Sequence, residues 1–533
     1  MAGPPPAPAG PFVFERPRRD AFWGYLLIFL YIGMVGAGYY AYSNRNPDFS
    51  KVDLDYLRDP AHCPVHNGRG RTLAENAESK FSLDAFFAET TTWLAAGTAT
   101  SLILGWLFLQ AFRCCSRAMT HATIVSQVAA PLLAGLALLA GGAFAPSMAA
   151  FAVAGLAGLA FFWWRNEIGL AANLLSVSAH GLVANPHLIT TALLMSLASL
   201  AALVPLLAAG FLALLNGEVV PNPARHGSAR CVSPQGEPVL CCSWGTDPWV
   251  TPYLVAAALT GLWVALTANQ IRVFVVSGAI SQWYFAPPSP SLSASVRGTT
   301  CRSLRHAFGP SFGSLSLAGL IMAAVETVKE ASDRAAREPD AGMLATVLSF
   351  CAQCIGGAIE YLTKFATVFM AITGDAFFAA GRRVTDLLAR NMLEAFASTI
   401  WFTPMVVHLA SFCTAAVWGL LGGGAYFFTH RHEQHPGAND AAVTATVLGS
   451  LIALFALFVL NFLAGVLLGV LDATFVCWAL DRDMHTVSHP EVYDVFAAVP
   501  LPGAVVQQPG GGVAYAALGQ AGAPPQSQHV ARG

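Results

Sequence analysis

Charged residues are scarce in this chain, and their scarcity excludes several classes of protein. They make up 11% of the 533 residues, whereas about a quarter of the residues of a soluble domain are charged. So little charge cannot coat a water-facing surface. The formal net charge is -2, which favours neither nucleic-acid binding nor a polybasic lipid-binding role.

Three sequence patterns are also missing. No Gly-x-x-x-x-Gly-Lys-Ser/Thr loop is present, so the chain lacks the phosphate cradle of a nucleotide-driven pump. The short alternating segments of a membrane β-barrel do not recur. Cys351 and Cys354 form a CAQC motif, but no two further zinc ligands are evident. We therefore expect no metal, no cofactor and no nucleotide or nucleic-acid partner.

Long apolar runs are what the chain has in abundance, since 55% of its residues are hydrophobic. Runs of about 20 residues span a bilayer as helices. The sequence therefore predicts an all-α, polytopic membrane protein, a ten-helix transmembrane bundle in contact with the lipid bilayer. The predicted spans are residues 21–42, 90–112, 121–143, 147–164, 187–215, 251–280, 311–329, 343–373, 402–428 and 443–478. Basic residues of the connections fall mostly on one side if both termini are cytoplasmic.

The two ends of the chain differ in composition from its middle. Residues 1–20 are Pro-rich and then basic, which predicts a disordered cytoplasmic tail and not a cleavable signal peptide. Residues 486–533 are rich in Gly, Pro, Ala and Gln, which predicts a largely disordered cytoplasmic tail. The transmembrane domain is expected over residues 21–485. Within it, 165–186 and 381–396 read as amphipathic helices, either interfacial or packed beneath the bundle.

Cysteines in the predicted outer loops indicate an oxidising compartment. Cys231, Cys241 and Cys242 all fall in the loop 216–250. A disulfide bond from Cys231 to Cys241 or Cys242 would close that loop, and the sequence does not choose between them. These cysteines favour the plasma membrane, although endomembranes are topologically equivalent.

A polar stripe runs along the sixth predicted span and its continuation to residue 284. At 100° per residue, one third of the helix circumference carries Trp263, Asn269, Gln270, Ser277, Ser281 and Tyr284. Leaving an amide in hydrocarbon costs several kcal/mol, so the stripe is expected to face other helices or water. It can be an interhelical hydrogen-bonding face or the lining of a cavity.

A few other polar groups lie inside the predicted spans. Glu326, Glu360, Tyr361 and Asp472 are in the seventh, eighth and tenth spans. Ionisable groups at such depths usually face the bundle interior. Glu360 is expected to pair with Lys364, four residues further on the same helix. Glu326 and Asp472 lie close enough to span ends for a surface contact to be the alternative.

Four segments of the C-terminal half carry a family resemblance. They are GAISQWYF (278–285), HAFGPSFGSLSLAGLIMAAVE (306–326), EYLTKFATVFMAITGDAFFAAGRRVTDLLARN (360–391) and LDATFVCWALDRD (471–483). In these segments the sequence resembles the choline transporter-like family, and in length its fungal branch. Family members often have Gln where this chain has Glu326, and Lys-Asn where it has Asp375-Ala376. The resemblance implies ten helices, cytoplasmic termini and facilitated movement of choline or a related organic cation without ATP.

A choline site can be assembled from aromatic rings and diffuse negative charge, because a quaternary ammonium has no N–H to donate. The predicted substrate-binding residues are Trp263, Asn269, Gln270, Ser277, Tyr284, Glu326, Glu360, Tyr361, Phe365 and Asp472. No coupling-ion site is evident, which favours a uniporter. The chain is predicted to be a transporter and not an enzyme. The alternatives are a membrane enzyme of lipid-headgroup metabolism, for which the only dense cluster is His430, His432 and His435, and a channel or non-transporting protein.

Overall fold

A computed structural model of the chain describes residues 12–46, 83–140, 144–163, 165–221, 241–286, 298–338, 342–390, 393–430 and 441–497. Nearly all regular structure in these ranges is helical. In chain order the longer helices are α1 Ala21–Ser43, α2 Leu83–Ala140, α3 Phe144–Trp163, α4 Arg165–Ala184, α5 His187–Leu214, α6 Val250–Tyr284, α7 Thr299–Phe308 and α8 Phe312–Arg337. They continue with α9 Met343–Thr373, α10 Phe377–Arg390, α11 Leu393–His430, α12 Ala441–Asp483 and α13 Pro490–Ala497.

Eight helices of the described residues are long and apolar enough to cross a membrane. They are Ala21–Ser43, Thr90–Ser116, His187–Leu214, Val250–Tyr284, Phe312–Arg337, Met343–Thr373, Thr403–His430 and Val443–Asp483. Each coincides with a predicted span, and the polytopic membrane architecture is confirmed at this level. The predicted span 121–143 falls largely in α2 beyond a kink at Cys115, and 147–164 coincides with the shorter apolar helix Ser147–Trp163. The total of ten and the orientation of the termini stay predictions.

One small sheet departs from the all-α prediction. Strands β1 Gly217–Pro221 and β2 Cys242–Thr246 pair antiparallel, with Gly217 opposite Thr246 and Pro221 opposite Cys242. Cys241 and Cys242 are both disulfide-bonded. Cys231, the predicted partner of one of them, lies outside the described residues, so that pairing stays a prediction.

The chain divides into two units. The first contains α1, α5, the two-stranded sheet, α6, α7, α8, α9 and the start of α10. Its central element is α6, which contacts α1, α5, α7, α8 and α9. With 35 residues and a rise of about 1.5 Å per residue, α6 is about 52 Å long and exceeds the roughly 30 Å thickness of the hydrocarbon core. Its last turns, from Phe274 to Tyr284, are completely enclosed by protein.

The second unit contains most of α2, α3, most of α4, the end of α10, most of α11 and α12, and α13. The predicted amphipathic segment 165–186 forms α4, whose Ile168 and Ala171 pack against Val406 of α11. At the end of α12, the buried Asp481 accepts hydrogen bonds from the hydroxyl groups of Thr486 and Ser488, at 2.9 and 2.8 Å. These bonds fix the turn into α13, which occupies part of the predicted C-terminal tail.

Candidate functional site

Seven buried residues of α6, most of them polar, follow alternating steps of four and three positions. The set consists of Trp263, Thr267, Gln270, Phe274, Ser277, Ser281 and Tyr284, all of them buried, and we call it the α6 seam. Steps of four and three keep residues on one face of a helix that packs against neighbouring helices. The predicted stripe, apart from Asn269, therefore faces protein and not acyl chains. Neighbouring helices α8 and α9 supply its contacts within the first unit.

At the α8 contact, the seam has one hydrogen bond and one very close approach. The Trp263 indole N–H donates to the carbonyl oxygen of Ser316, at 2.8 Å, and its ring packs with Leu27 of α1 and Ala323 of α8. About one turn away on α8, Gly319 faces Thr267 so closely that a Cβ at position 319 would lie 2.7 Å from the Thr267 backbone nitrogen. Only glycine allows this approach.

At the α9 contact, the seam carries the amide of Gln270. The Thr367 hydroxyl donates to Gln270 Oε1 at 2.8 Å, and both residues are buried. One and two turns further along α6, Phe274 and Ser277 follow on the same face. Ser277 is fully buried, and neither its hydroxyl nor that of Thr267 has a hydrogen-bond partner among the described residues. Two buried hydroxyls without a partner among these residues leave hydrogen-bonding capacity on this face for water or a polar ligand.

Asn269, predicted to share this face, lies elsewhere. It is exposed, and its Oδ1 accepts a hydrogen bond from Arg272 Nη2 at 2.8 Å. A rotation of 100° separates Asn269 from Gln270, so burial of one of them places the other off the seam.

Glu326 and Glu360 share one cation. Lys329 Nζ lies 2.9 Å from Glu326 Oε1 on its own helix α8, and 3.7 Å from Glu360 Oε2 on α9. Glu360 thus has an ion pair across two helices, and its predicted pair with Lys364 stays a prediction. The Glu326 and Glu360 side chains are 37% and 53% exposed, so solvent screens the pairs and each is worth little stability.

Three of the predicted aromatic residues lie in protein surroundings. The rings of Tyr361 and Phe365 on α9 have centroids 4.7 Å apart, and Phe365 is fully buried. Tyr361 precedes Thr367 by six residues, about 9 Å along the helix. Tyr284, at the far end of the α6 seam, is also fully buried and meets the ring of Phe285 edge-on at 5.0 Å.

The remaining predicted positions are Asp472 and the histidine cluster. Asp472 is buried in α12, in the second unit. His430 ends α11 and stacks on Tyr426 at 4.3 Å, while His432 and His435 lie outside the described residues. Among the residues that the structure describes, no group of three His, Cys, Asp or Glu side chains is placed to hold a metal ion.

The end of the unit where α6 stops is strongly basic. Gln282, close to the end of the α6 seam, donates through Nε2 to the Thr299 carbonyl and accepts from Arg302 Nη1 at 2.9 Å. Burial, and then the charges of Arg16, Arg302 and Arg305, lower the pKa of His306 in α7 to about 4, although a hydrogen bond with the Phe14 backbone opposes them. His306 is therefore neutral at pH 7.

The structure adds Thr267, Gly319, Thr367 and Lys329 to the site. Two of them have a sequence signal: Thr267 is spaced four and three residues from Trp263 and Gln270, and Gly319 is one of the small residues that indicate close helix approach. Sequence reasoning missed Thr367 and Lys329, which are partners on other helices, and no local pattern on α6 points to them.

The residues of the α6 seam fall within the part of the chain that matches a known family model. The family model described as plasma-membrane choline transporter matches residues 148–483, more than half of the chain. Protein PNS1 of Neurospora crassa is 24% identical over 258 residues, 47% of this chain and 44% of that protein. The CTL-like protein of Dictyostelium discoideum is 28% identical over 137 residues, a quarter of each chain.

An animal relative matches as well. Choline transporter-like protein 2 of Cavia porcellus is 29% identical over 175 residues, 32% of this chain and 24% of that protein. Each of these alignments covers less than half of the relative's length.

Proposed function

We propose, from the premise that this chain belongs to the choline transporter-like family, that it is a facilitative uniporter of choline or a related small organic cation. The family is one of membrane transporters, and the name of the animal relative specifies choline. The plasma membrane is the proposed location, in line with the family description. Transport by this route uses no ATP and no coupling ion.

The observation that carries the proposal is the buried polar seam of α6. It brings Gln270, Thr367 and the unpartnered hydroxyls of Thr267 and Ser277 to the centre of the first unit. Helices that only pack against one another can use small apolar residues at such positions. Two hydroxyls buried without partners cost stability, and a hydrated pathway that opens along the seam would explain their presence.

We assign the recognition of the cation to aromatic and acidic groups of α9 and α8. A quaternary ammonium over an aromatic face gains about 0.5–2 kcal/mol per ring, and the rings of Tyr361 and Phe365 are neighbours on α9. Glu326 on α8 and Glu360, next to Tyr361 on α9, supply negative charge. Gln270, and not the exposed Asn269, is the proposed partner of the choline hydroxyl.

The substrate is tested by uptake into liposomes that contain the purified protein. We expect saturable uptake of choline, and the comparison set is ethanolamine, betaine, carnitine and thiamine. Tyr361→Phe keeps the ring and should keep the half-saturation concentration within about twofold. Tyr361→Leu removes the ring and should raise it about threefold to thirtyfold, the equivalent of one cation–π contact.

Three results would contradict parts of this proposal. Uptake by folded protein that does not exceed uptake by empty liposomes would remove the transport function. Equal half-saturation concentrations for Tyr361→Phe and Tyr361→Leu would contradict the assignment of Tyr361 to the cation site but not the transport function. Single-channel conductance steps in a planar bilayer would replace the carrier with a channel.

A further inference from the structure

The segment Phe12–Asp20, which we call the N-terminal strap, lies across the ends of α8 and α9 in the first unit. The Val13 backbone N–H donates to the carbonyl of Ile372 at 3.0 Å. At the other end of the strap, Asp20 Oδ2 accepts from the Ser314 hydroxyl at 2.6 Å. The sequence predicts a disordered tail here, and residues 1–11 lie outside the described residues. Residues 12–20 are instead attached to the helix bundle at both ends.

Arg16 is the central attachment of the strap. Its guanidinium donates to three successive carbonyls in the last turn of α9, those of Met370, Ala371 and Ile372, at 3.2, 2.8 and 3.3 Å. The last carbonyls of a helix have no partner within the helix and carry the negative end of its dipole. A guanidinium at this position donates hydrogen bonds to these carbonyls and places a positive charge at the negative end of the dipole. Burial lowers the pKa of Arg16 to about 10, which still leaves it charged at pH 7.

A glycine at the end of α9 makes room for this side chain. Gly374 adopts a φ of +73° and closes the helix with a hydrogen bond from its N–H to the Met370 carbonyl, at 2.9 Å. A Cβ at this position would lie 2.9 Å from Arg16 Cγ. The helix therefore ends in a turn that only glycine adopts readily, and the arginine occupies the space that a side chain would take.

Arg16 also lies on the α6 seam. Its guanidinium carbon is 5.7 Å from the centre of the Phe274 ring, and Phe274 is the seam residue one turn after Gln270. On α9, Met370 lies about one turn after Thr367. The guanidinium is therefore about one helical turn, roughly 5–6 Å along the axis, from the Gln270–Thr367 hydrogen bond.

We propose that Arg16 is an electrostatic gate for organic cations, carried by the N-terminal strap. With the strap docked, a fixed positive charge lies on the α6 seam beside Phe274, and a cation can pass along the seam only after Arg16 leaves the α9 carbonyls. Buried charges are screened little by salt, so an organic cation is repelled at this point. The identity of the cargo rests on the proposed function, whereas closure of the seam by the strap does not.

The closure is tested by the reactivity of a cysteine placed on the seam. Ser277→Cys is introduced into the full chain with its free cysteines replaced by serine, and the purified protein is treated with a trimethylammonium-bearing methanethiosulfonate. We expect slow modification with the strap intact and at least tenfold faster modification after Arg16→Gln. Arg18→Gln is the matched control, because Arg18 is an exposed arginine of the same strap, and it should leave the rate unchanged.

Other outcomes overturn the gate. They are fast modification with the strap intact, no acceleration by Arg16→Gln in protein that elutes as a folded monodisperse species, and equal acceleration by Arg18→Gln. If Arg16→Gln does not fold, Phe12→Ala replaces it: Phe12 is buried, and its ring centre lies 5.0 Å from the Arg16 guanidinium carbon. Phe12→Ala should give the same acceleration, and an unchanged rate would refute the gate.

Choline uptake by the same variants separates the gate from the proposed function. Accelerated modification in a protein that does not transport choline would support the gate and contradict choline as the substrate. Choline transport with unaltered cysteine reactivity in Arg16→Gln would support the cargo and contradict the gate.

Discussion

Gly319→Ala tests whether the close spacing of α6 and α8 depends on the absence of a Cβ at position 319. The added Cβ would lie 2.7 Å from both the nitrogen and the Cα of Thr267, whereas ordinary contact begins at 3.4 Å. The two helices must therefore separate by roughly 0.7 Å, because backbone cannot rotate away as a flexible side chain can. Overpacking of this kind costs about 1–3 kcal/mol, and the better helix propensity of Ala returns up to about 1 kcal/mol. We expect a net destabilisation of about 1–2 kcal/mol.

Gly357→Ala is the matched control for this substitution. Gly357 lies within α9, and a Cβ there would meet nothing within 4 Å. Its replacement should be neutral or stabilising by up to about 1 kcal/mol. The assay is thermal unfolding of both variants in the same detergent, followed by choline uptake. If Gly319→Ala unfolds at the same temperature as Gly357→Ala or above it, the close packing of α6 on α8 does not depend on glycine at position 319.

Three further predictions concern single side chains. Gln270→Leu should raise the half-saturation concentration for choline uptake several-fold, whereas Asn269→Leu should not; equal effects would remove Gln270 from the site. The pKa of His306 is lowered from 6.5 to about 4, so its neutral form supports folding above pH 6.5, and this support is lost as the pH falls toward 4. In His306→Gln, the unfolding temperature should therefore fall less between pH 6.5 and pH 4 than in the unaltered protein. An equal fall in both proteins would contradict this. Lys329→Met should lower the half-saturation concentration for choline several-fold, because it frees the two carboxylates that share its ammonium; an unchanged value would exclude them from recognition.

Local sequence pattern predicted the helices and the character of α6. Length and apolarity predicted eight spans that the described structure contains, because a bilayer-spanning helix is defined by its own residues. The 100° rotation per residue predicted a polar face that includes Trp263, Gln270, Ser277 and Tyr284. All four are buried, which agrees with the cost of leaving polar groups in hydrocarbon.

Partners from distant parts of the chain could not be predicted in this way. Asn269 and Gln270 are neighbours of the same residue class, and the Thr367 hydroxyl on another helix distinguishes them. Lys329 on α8 is a partner of Glu360 on α9, and it could not be predicted because spacing along one helix contains no information about the next helix. Arg16 lies 354 residues before the first carbonyl it binds, and a basic, Pro-rich segment is typical of a free tail.

The most direct test of the central claim is the accumulation ratio of choline in protein-containing liposomes under a fixed membrane potential. A monovalent cation gains about 2.3 kcal/mol per 100 mV on moving to the negative side. A uniporter should therefore accumulate choline about 50-fold at 100 mV, inside negative, with or without a sodium gradient. An accumulation ratio that stays at one, or that requires sodium, would contradict electrophoretic uniport by this chain.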